Sequence, residues 1–169
     1  KPVHAEVKEV PTTLWRAPRE AIVGFLQGLF SADGTIQVHE KNQTRYIRLT
    51  SKSRTLLGQV QILLANFGIH ARLYDRSRKP SIKMGYQNDG ICFELHIAKT
   101  NIPVFLEKIG FLGSHYTKKV EILKSKEYYK ETFEDEIKEI SFVGEKSVYD
   151  LTEAVSHSFV ANGIVISNC

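Results

Sequence analysis

The first feature of this sequence that could do chemistry is a carboxylate at the end of a helix that bears small residues. Gly24, Gly28 and Ala32 are spaced four residues apart, so they fall on one face of a helix. Small residues there let a second helix approach closely. Asp33 follows at the C-terminal tip, and a matching helix would bring a second carboxylate beside it. Paired carboxylates at a DNA surface are what divalent-metal phosphodiester hydrolysis needs.

The last two residues, Asn168 and Cys169, carry a second kind of chemistry. An asparagine side-chain amide nitrogen can attack its own backbone carbonyl, which forms a succinimide and breaks the peptide bond that follows. A cysteine thiol is the best of the nucleophilic side chains near neutral pH, and it can accept an acyl group by transesterification. An Asn-Cys pair is common in proteins, so this interpretation depends on the residues that precede it.

A regular series of elements would position Asp33. Pro18 suits the first turn of a helix, apolar residues then recur at helical spacing, and Gly34 ends the pattern. Alternating or apolar runs predict strands farther along, and Ser53 is a good N-cap. The order of elements predicts an α+β unit with an antiparallel sheet and helices on one face. The later elements are expected at Thr35–His39, Arg45–Thr50, Thr55–Asn66 (helix), Ile69–Arg76, Ile91–Ala98 after a long polar loop, Pro103–Ile109 (helix) and Tyr116–Tyr128 (helix).

The two faces of the predicted sheet differ in character. One is apolar and would form the core, with Ile36, Val38, Ile47, Leu49, Ile69, Ala71, Leu73, Ile91, Phe93, Leu95 and Ile97. The other includes Glu94 and His96 but is rich in side chains that reach phosphates and base edges. An ordinary solvated face is the alternative, which the excess of Arg and Tyr disfavours. The candidate DNA-binding residues are Gln37, His39, Tyr46, Arg48, Arg72, Tyr74 and Arg76.

Charge divides the chain into two parts. Residues 134–169 contain two lysines and seven carboxylates, a net charge of −5, and this leaves 21 basic and 12 acidic residues, or +9, in residues 1–133. The basic part is a candidate for binding a polyanion such as DNA. In the acidic part, short β-like stretches at 140–143, 147–151, 158–160 and 164–166 alternate with turn signals such as Asn162-Gly163. That part is too short for a core of its own, so we expect it to pack on something else.

The segment Gly24–Gly34 resembles the LAGLIDADG motif of homing endonucleases, in the form found second in double-motif intein enzymes. A helix that ends in Asp-Gly is a weak signal by itself, but this match covers eleven residues and the expected strands follow. Lys8-Glu9-Val10-Pro11 resembles the Lys-x-x-Pro block upstream of that motif, and Lys8 lies 25 positions before Asp33. The resemblance covers roughly residues 7–130. It implies that Asp33 binds Mg²⁺ and that Lys8, or more loosely Lys99, stabilises charge near the scissile phosphate.

The C-terminal residues are similar to the last two splicing blocks of inteins, and the match covers Val148–Thr152 and His157–Cys169. The resemblance implies that Asn168 cyclises and that Cys169, the first extein residue, accepts the upstream segment. It also implies that His157 assists the cyclisation as a general acid or base. Asp150 would assist the steps at the upstream junction and the transesterification. No cofactor is implied for splicing.

Two departures from the intein pattern affect these expectations. Ser167 stands where inteins usually have His, and a hydroxyl is a poor proton donor although it can hydrogen-bond the scissile carbonyl. The first splicing blocks are absent, because no Cys or Ser starts the chain and no Thr-x-x-His sequence occurs. An N-terminal intein fragment or upstream segment would therefore supply them, together with the first LAGLIDADG motif. Pairing of two copies of the chain is the alternative for that motif, but the Lys-x-x-Pro block favours the upstream segment.

The sequence thus predicts a chain of two parts. Residues 1–133 would form one αββαββα LAGLIDADG endonuclease half, and residues 134–169 the C-terminal strands of a Hint-type all-β splicing fold. The expected functions are autocatalytic protein splicing and Mg²⁺-dependent hydrolysis of double-stranded DNA. The alternatives are a degenerate half that only binds DNA, joined to an inactive splicing segment, and a half that merely holds the splicing strands. The two cysteines and the lack of an apolar run of membrane length predict a cytoplasmic protein with no membrane partner.

Overall fold

The structure is a computed structural model in which the chain forms two compact units, Lys1–Lys130 and Glu131–Cys169. We call them unit 1 and unit 2 and describe each by itself. Their assignment to an endonuclease half and a splicing segment, with a boundary at 133/134, stays a prediction. The structure describes residues 5–39, 44–83, 86–129, 136–147, 149, 151–152, 154–161 and 164–167.

Unit 1 is an α+β fold built on a four-stranded antiparallel sheet, as predicted. The sheet has the strand order β1-β2-β6-β3, and a two-stranded hairpin of β4 and β5 stands apart from it. The described helices are α1 Arg19–Asp33, α2 Arg54–Ala65, α3 Asn101–Lys108 and α4 Thr117–Lys124. The strands are β1 Gly34–His39, β2 Thr44–Ser51, β3 Ala71–Asp75, β4 Ser81–Lys83, β5 Tyr86–Asn88 and β6 Phe93–Ala98.

The core of unit 1 lies between the apolar face of the sheet and the helices, where the alternation of the strands predicted it. Strand positions such as Ile47 and Ile97 are fully buried together with Leu26 and Phe30 of α1. The rings of Phe30 and Phe105 meet edge to face with centroids 4.8 Å apart, which joins α1 to α3. Apolar burial of this kind is the main favourable term in folding, so the core fixes α1 against the sheet. Among the described residues, no helix has both the length and the apolar character needed to cross a membrane.

Several boundaries in unit 1 differ from the predicted ones. The long polar loop contains the β4–β5 hairpin, in which Lys83 pairs with Tyr86. Its strands have three residues each, too few for a visible alternation. Ile91 was predicted to face the core, but it is exposed because β6 begins only at Phe93. The last helix ends at Lys124 rather than at Tyr128.

Unit 2 contains one antiparallel hairpin among its described residues, formed by β7 Ser158–Ala161 and β8 Ile164–Ser167. The strands predicted at 158–160 and 164–166 are therefore confirmed. The strand predicted at 140–143 is wrong, because these residues have no regular structure and Ile140 and Phe142 are exposed. A strand needs a hydrogen-bonded neighbour, and none is present there in the described part of the chain. In the strand predicted at 147–151, residues 148 and 150 lie outside the described residues, and residues 147, 149 and 151 are not in a strand.

The junction between α1 and β1 generates the first prediction. The N–H of Gly34 donates to the carbonyl oxygen of Phe30, and a Cβ at position 34 would overlap that same oxygen. We expect Gly34→Ala to lower the free energy of unfolding by about 1–3 kcal/mol, because the end of the helix must shift to make room. Urea denaturation of the full chain, followed by circular dichroism, measures this change.

Gly58→Ala is the matched control. Gly58 lies in the middle of α2, where an added Cβ would meet nothing within 4 Å. Alanine is the better helix former, so this variant should be more stable by about 0.5–1 kcal/mol. Similar stabilities for the two variants would contradict the close approach at Gly34.

Candidate functional site

Asp33 and Lys8, the two residues expected to act on a phosphodiester bond, line one cavity in unit 1. The cavity has a volume of about 260 Å³, and its wall includes Leu29 of α1, the end of β2 from Leu49 to Ser51, and Lys52. The side chains of Asp33 and Lys8 are both exposed. A carboxylate and an ammonium group that open onto the same cavity can act on one bound anion.

Lys8 is positioned by the start of α2. Ser53 is fully buried, and its hydroxyl accepts from the N–H of Leu56 at 3.1 Å, so the predicted N-cap is confirmed. The same hydroxyl donates to the carbonyl oxygen of Lys8 at 2.6 Å. Two residues on, the N–H of Val10 donates to the side chain of Gln59 at 2.7 Å, and the Val10 side chain is buried. The backbone around Lys8 is therefore fixed to α2 by hydrogen bonds. This fixed backbone determines the place from which the lysine side chain extends.

Asp33 is positioned by contacts on both sides of it. The hydroxyl of Ser31 donates to Gln27 O at 2.6 Å and accepts from the N–H of Leu112 at 2.7 Å. The hydroxyl of Tyr116 lies 3.0 Å from Ser31 O and 3.3 Å from Gly34 O, so its single proton can be donated to either carbonyl. The segment after α3 thus holds the last turn of α1 and the first residue of β1, which together carry Asp33.

The small-residue face of α1 is open. Gly24 and Ala32 are exposed, Gly28 is half-buried, and a Cβ added at Gly24 or Gly28 would meet nothing within 4 Å. The opposite side of the helix carries the buried Leu26 and Phe30. The described residues of unit 1 therefore leave room on this face for a second helix at short range.

The residues in the cavity are a partial fit for a divalent metal ion. Asp33 offers carboxylate oxygens, which are the ligands that Mg²⁺ prefers. Among the described residues, however, no group of three or more His, Cys, Asp or Glu side chains is placed to hold a metal ion. Asp33 can supply one ligand, and a site would need further ligands from elsewhere, such as a second carboxylate on a matching helix.

Glu94 organises the polar face of the sheet, a role that sequence reasoning missed. Its carboxylate lies 2.9 Å from Arg48 Nη1, 2.9 Å from His96 Nε2 and 3.5 Å from Arg76 Nε. Only 13% of the Glu94 side chain is exposed. The single signal in the sequence was an acidic residue on a face otherwise rich in Arg, His and Tyr. The structure therefore brings Arg48 and Arg76 together around one carboxylate, and an excess of positive charge remains.

Aromatic side chains form a row across the four strands on the same face. The rings of Tyr46 and His96 stack with centroids 4.4 Å apart, and Tyr74 lies 4.8 Å from His96 on the other side. His39 lies 6.5 Å from Tyr46 at the β1 edge, and the guanidinium of Arg76 lies 4.9 Å from the Tyr74 ring at the β3 edge. The row gives the face a rigid surface.

The two remaining DNA-binding candidates lie on the same sheet face by strand register. Gln37 is paired with Tyr46 and is half-buried. Arg72 is paired with His96 and is exposed. The seven candidates thus occupy one surface, which we call the polar sheet face: Gln37, His39, Tyr46, Arg48, Arg72, Tyr74 and Arg76. Lys99, the looser candidate, follows β6 in a left-handed backbone conformation with φ of 52°.

The splicing candidates are described only in part. His157 precedes β7, is exposed, and has a left-handed backbone with φ of 49°. Ser167 ends β8 and pairs with Ser158. Asp150, Asn168 and Cys169 lie outside the described residues.

A known family matches part of this chain, and several known proteins are similar to nearly all of it. Residues 20–110 match the family described as LAGLIDADG-like domain. A DNA polymerase of Thermococcus sp. (strain GE8) is 32% identical over 170 residues, which cover 95% of this chain and 10% of that protein. The alpha subunit NrdEB of a ribonucleoside-diphosphate reductase of Bacillus subtilis (strain 168) is 30% identical, over 95% of the chain and 16% of the subunit. The tRNA-splicing ligase RtcB of Pyrococcus abyssi is 33% identical, over 95% of the chain and 21% of that protein.

These matches define the class of protein: the chain belongs to the LAGLIDADG-like family. It spans only about a tenth to a fifth of the length of these relatives. Nearly the whole of this chain is similar to part of a polymerase, of a reductase subunit and of a ligase, so the similarity follows the segment and not one reaction. The identification as the C-terminal portion of an intein with a LAGLIDADG endonuclease half is therefore confirmed.

The Glu94 cluster generates the second prediction. Burial lowers the pKa of His96 below its usual value, and the hydrogen bond to Glu94 opposes this effect. The unfolded chain takes up a proton at this histidine near pH 6.5, whereas the folded chain takes it up only at a lower pH. The stability contributed by neutral His96 is therefore lost as the pH falls from about 6.5 through the folded pKa. An NMR titration of the His96 ring should show a midpoint below 6.5.

Glu94→Gln tests the cause of this pKa. Without the carboxylate, burial and the charges of Arg48 and Arg76 act on His96 unopposed, so its pKa should fall further. A midpoint above 6.5 in the original chain would show that burial does not dominate the His96 pKa, and a rise in the variant would show that Glu94 does not act on His96 as the geometry indicates.

Proposed function

We propose that this intein portion takes part in protein splicing and in site-specific cleavage of double-stranded DNA, with residues 1–133 as one half of the DNA-cleaving enzyme and residues 134–169 as the end of a Hint-type splicing fold. The observation that carries the endonuclease part is that Asp33 and Lys8 line one cavity at the tip of α1. Helix packing, hydrogen bonds and the close approach at Gly34 hold that tip in place.

The cavity residues have complementary roles in phosphodiester hydrolysis. Asp33 would hold Mg²⁺ together with a carboxylate from the matching half. When bound, the ion would polarise the phosphoryl oxygen and lower the pKa of a water molecule. The ammonium group of Lys8 would stabilise the negative charge that develops on the phosphate. The hydrogen bond from Ser53 already fixes the Lys8 backbone, which lowers the entropy cost of ordering this side chain.

DNA would bind on the polar sheet face. Arg48, Arg72 and Arg76 can contact phosphates or guanine edges, and Gln37 can contact adenine. The net charge of +9 on residues 1–133 favours association with a polyanion.

The matching half would pack on the open face of α1. Gly24, Gly28 and Ala32 let two helix backbones approach closely, and the approach would place Asp33 beside its counterpart. An upstream segment with the first LAGLIDADG motif is the proposed partner. Unit 1 would then contribute half of the DNA-binding surface and one of two carboxylates.

Replacing Asp33 generates the third prediction. The full chain is combined with an upstream segment carrying the first motif and tested on a plasmid library with a randomised insert. We expect Mg²⁺-dependent cleavage, and we expect Asp33→Asn to slow it by at least ~10²-fold, because the contribution of a catalytic metal is several kcal/mol. Binding of the same DNA, measured in EDTA, should change by less than about threefold, because Asp33 is not one of the seven residues of the polar sheet face that would contact the DNA.

Asp75→Asn is the control for this experiment, because Asp75 is an exposed carboxylate that does not line the cavity. It should leave cleavage unchanged. If the unsubstituted chain and the upstream segment together bind DNA without Mg²⁺ and never cleave it, the DNA-binding-only alternative replaces this proposal.

The splicing part of the proposal rests on the resemblance of the C-terminal blocks and is supported by the β7–β8 hairpin. Pairing of Ser158 with Ser167 brings the position after His157 opposite the position before Asn168. His157 would therefore lie near enough in the fold to exchange a proton at the Asn168–Cys169 bond. Ser167 would donate a hydrogen bond to the scissile carbonyl.

The proposed reaction starts with the Cys169 thiol, which attacks the thioester or ester carbonyl of the upstream segment, with help from Asp150. The bond from that carbonyl carbon to the upstream sulfur or oxygen breaks, the acyl group is left on Cys169, and the thiol proton passes to the upstream thiol or hydroxyl that leaves. The Asn168 side-chain nitrogen then attacks the backbone carbonyl carbon of Asn168. The bond to Cys169 breaks, the new amine receives a proton by way of His157, and Asn168 is left as a succinimide. The acyl group finally moves from the Cys169 sulfur to the adjacent amine, which forms a peptide bond.

Exposed apolar side chains in unit 2 support the need for a splicing partner. They are large, they lie within a short segment, and a soluble protein rarely leaves such a group uncovered. The strands of an upstream splicing segment would cover them. These residues are Ile137, Ile140, Phe142, Val143, Tyr149, Leu151, Val155 and Ile166.

Splicing itself generates the fourth prediction. The chain, with a short peptide tag after Cys169, is mixed with an N-terminal intein fragment, and the products are identified by mass spectrometry. We expect a ligated product that disappears in Asn168→Ala. Ser167→His should increase the rate of cleavage after Asn168, because imidazole is a better proton donor than a hydroxyl near neutral pH.

The products distinguish the steps of the proposal. Cleavage after Asn168 without ligation would show cyclisation without transesterification. An intact chain after prolonged incubation would contradict the splicing function and leave DNA cleavage as the remaining activity.

A further inference from the structure

The cavity that contains Asp33 and Lys8 has a second lysine in its wall, Lys52. Lys52 directly follows β2 and precedes the N-cap of α2, so its backbone lies between two well-packed elements. No motif in the sequence distinguishes it from the other lysines. Its place beside two groups suited to a phosphate raises the question of what its ammonium group binds.

In this structure the ammonium group binds a carboxylate. Lys52 Nζ lies 2.6 Å from Asp89 Oδ2, and the two side chains are 40% and 36% exposed. Their hydrogen bond raises the pKa of Lys52 and is the main cause that lowers the pKa of Asp89. Both groups are therefore charged near neutral pH. An ion pair this exposed adds little to stability, so another anion can replace Asp89 at small cost.

Asp89 is held in a defined place. Its other carboxylate oxygen, Oδ1, accepts from the N–H of Ile91 at 3.0 Å. Asp89 directly follows β5, so the ion pair connects the base of the β4–β5 hairpin to the cavity wall. Asp89 thus holds Lys52 in one position and adds a negative charge near the place where a phosphate would bind.

We propose that Lys52 is a phosphate-binding residue of this site and that Asp89 occupies its ammonium group until a DNA phosphate replaces it. The inference rests on the proposed DNA-binding function of unit 1. A carboxylate and a phosphate both present oxygen acceptors to an ammonium group, so the exchange needs no change in the Lys52 backbone. DNA would therefore have to displace Asp89, and the base of the hairpin would be released from the cavity wall in the complex.

The test measures binding of the full chain to a random-sequence DNA duplex in EDTA, by fluorescence anisotropy over a series of salt concentrations. Lys52→Gln removes one phosphate contact, so the slope of log K against log salt should become shallower by ~0.9. The affinity of the original chain should accordingly fall about threefold more than that of the variant between about 50 and 200 mM salt.

Asp89→Asn should act in the opposite direction. It removes the ion-pair partner of Lys52 and leaves the weaker influence of Glu6, so affinity at low salt should rise by about two- to fivefold, as expected when a weak exposed pair no longer competes. This gain should be absent when the change is made together with Lys52→Gln. Asp75→Asn is the matched control, because Asp75 Oδ1 accepts from the N–H two residues later, as in Asp89, whereas the carboxylate paired with Lys52 is that of Asp89.

The outcomes separate this inference from the function on which it rests. If the original chain binds the duplex with a clear salt dependence but Lys52→Gln keeps the same slope, Lys52 binds no phosphate and this inference alone is overturned. If Asp89→Asn and Asp75→Asn raise affinity equally, only total charge matters and the exchange is overturned. If the original chain does not bind the duplex, the proposed DNA function fails and the inference fails with it.

Discussion

The structure of unit 1 depends on the junction at which α1 ends and β1 begins. Gly34 must place its backbone against the carbonyl oxygen of Phe30, and any side chain there would force the two apart. The core residue Phe30 fixes the helix from one side, and Ser31 and Tyr116 fix it from the other. Asp33 lies in this junction, so the position of its carboxylate is set by packing and backbone bonds rather than by its own contacts. Its side chain remains exposed for a ligand.

The polar sheet face shows a second consequence of fixed positions. A half-buried carboxylate, Glu94, stands among basic and aromatic side chains and holds Arg48 and Arg76 by ion pairs. It reduces the net charge of the face but restricts the rotamers of both arginines in the free protein. Ordering long side chains at an interface costs free energy, so prior ordering favours specific contacts. The same carboxylate counteracts the effect of burial on His96, which links the charge of the face to pH.

The sequence was sufficient wherever a local pattern decides the structure. The helical spacing before Gly34, the alternation in β1, β2 and β6, and the N-cap Ser53 predicted the elements and the two faces of the sheet. Contacts between residues distant in sequence could not be predicted in this way. Arg48 and Glu94 are 46 positions apart, and Lys52 and Asp89 are 37 apart, so neither ion pair follows from spacing. The strand predicted at 140–143 failed for the same reason, because a strand needs a neighbour that a local pattern does not reveal.

The two units differ in whether their described residues form a buried apolar core, and this difference bears on their proposed functions. Every residue of the buried apolar cluster found among the described residues lies between Val10 and Leu123, so unit 1 has the core needed to position Asp33 and Lys8. The described residues of unit 2 instead expose large apolar side chains such as Phe142 and Tyr149. The proposed splicing would therefore depend on association with an upstream segment, because that association would bury these side chains. The DNA contacts proposed for this half have no such requirement, since the core of unit 1 holds the polar sheet face in place. One chain would thus combine a proposed DNA-binding surface held by its own core with a proposed splicing segment whose exposed apolar side chains require a partner.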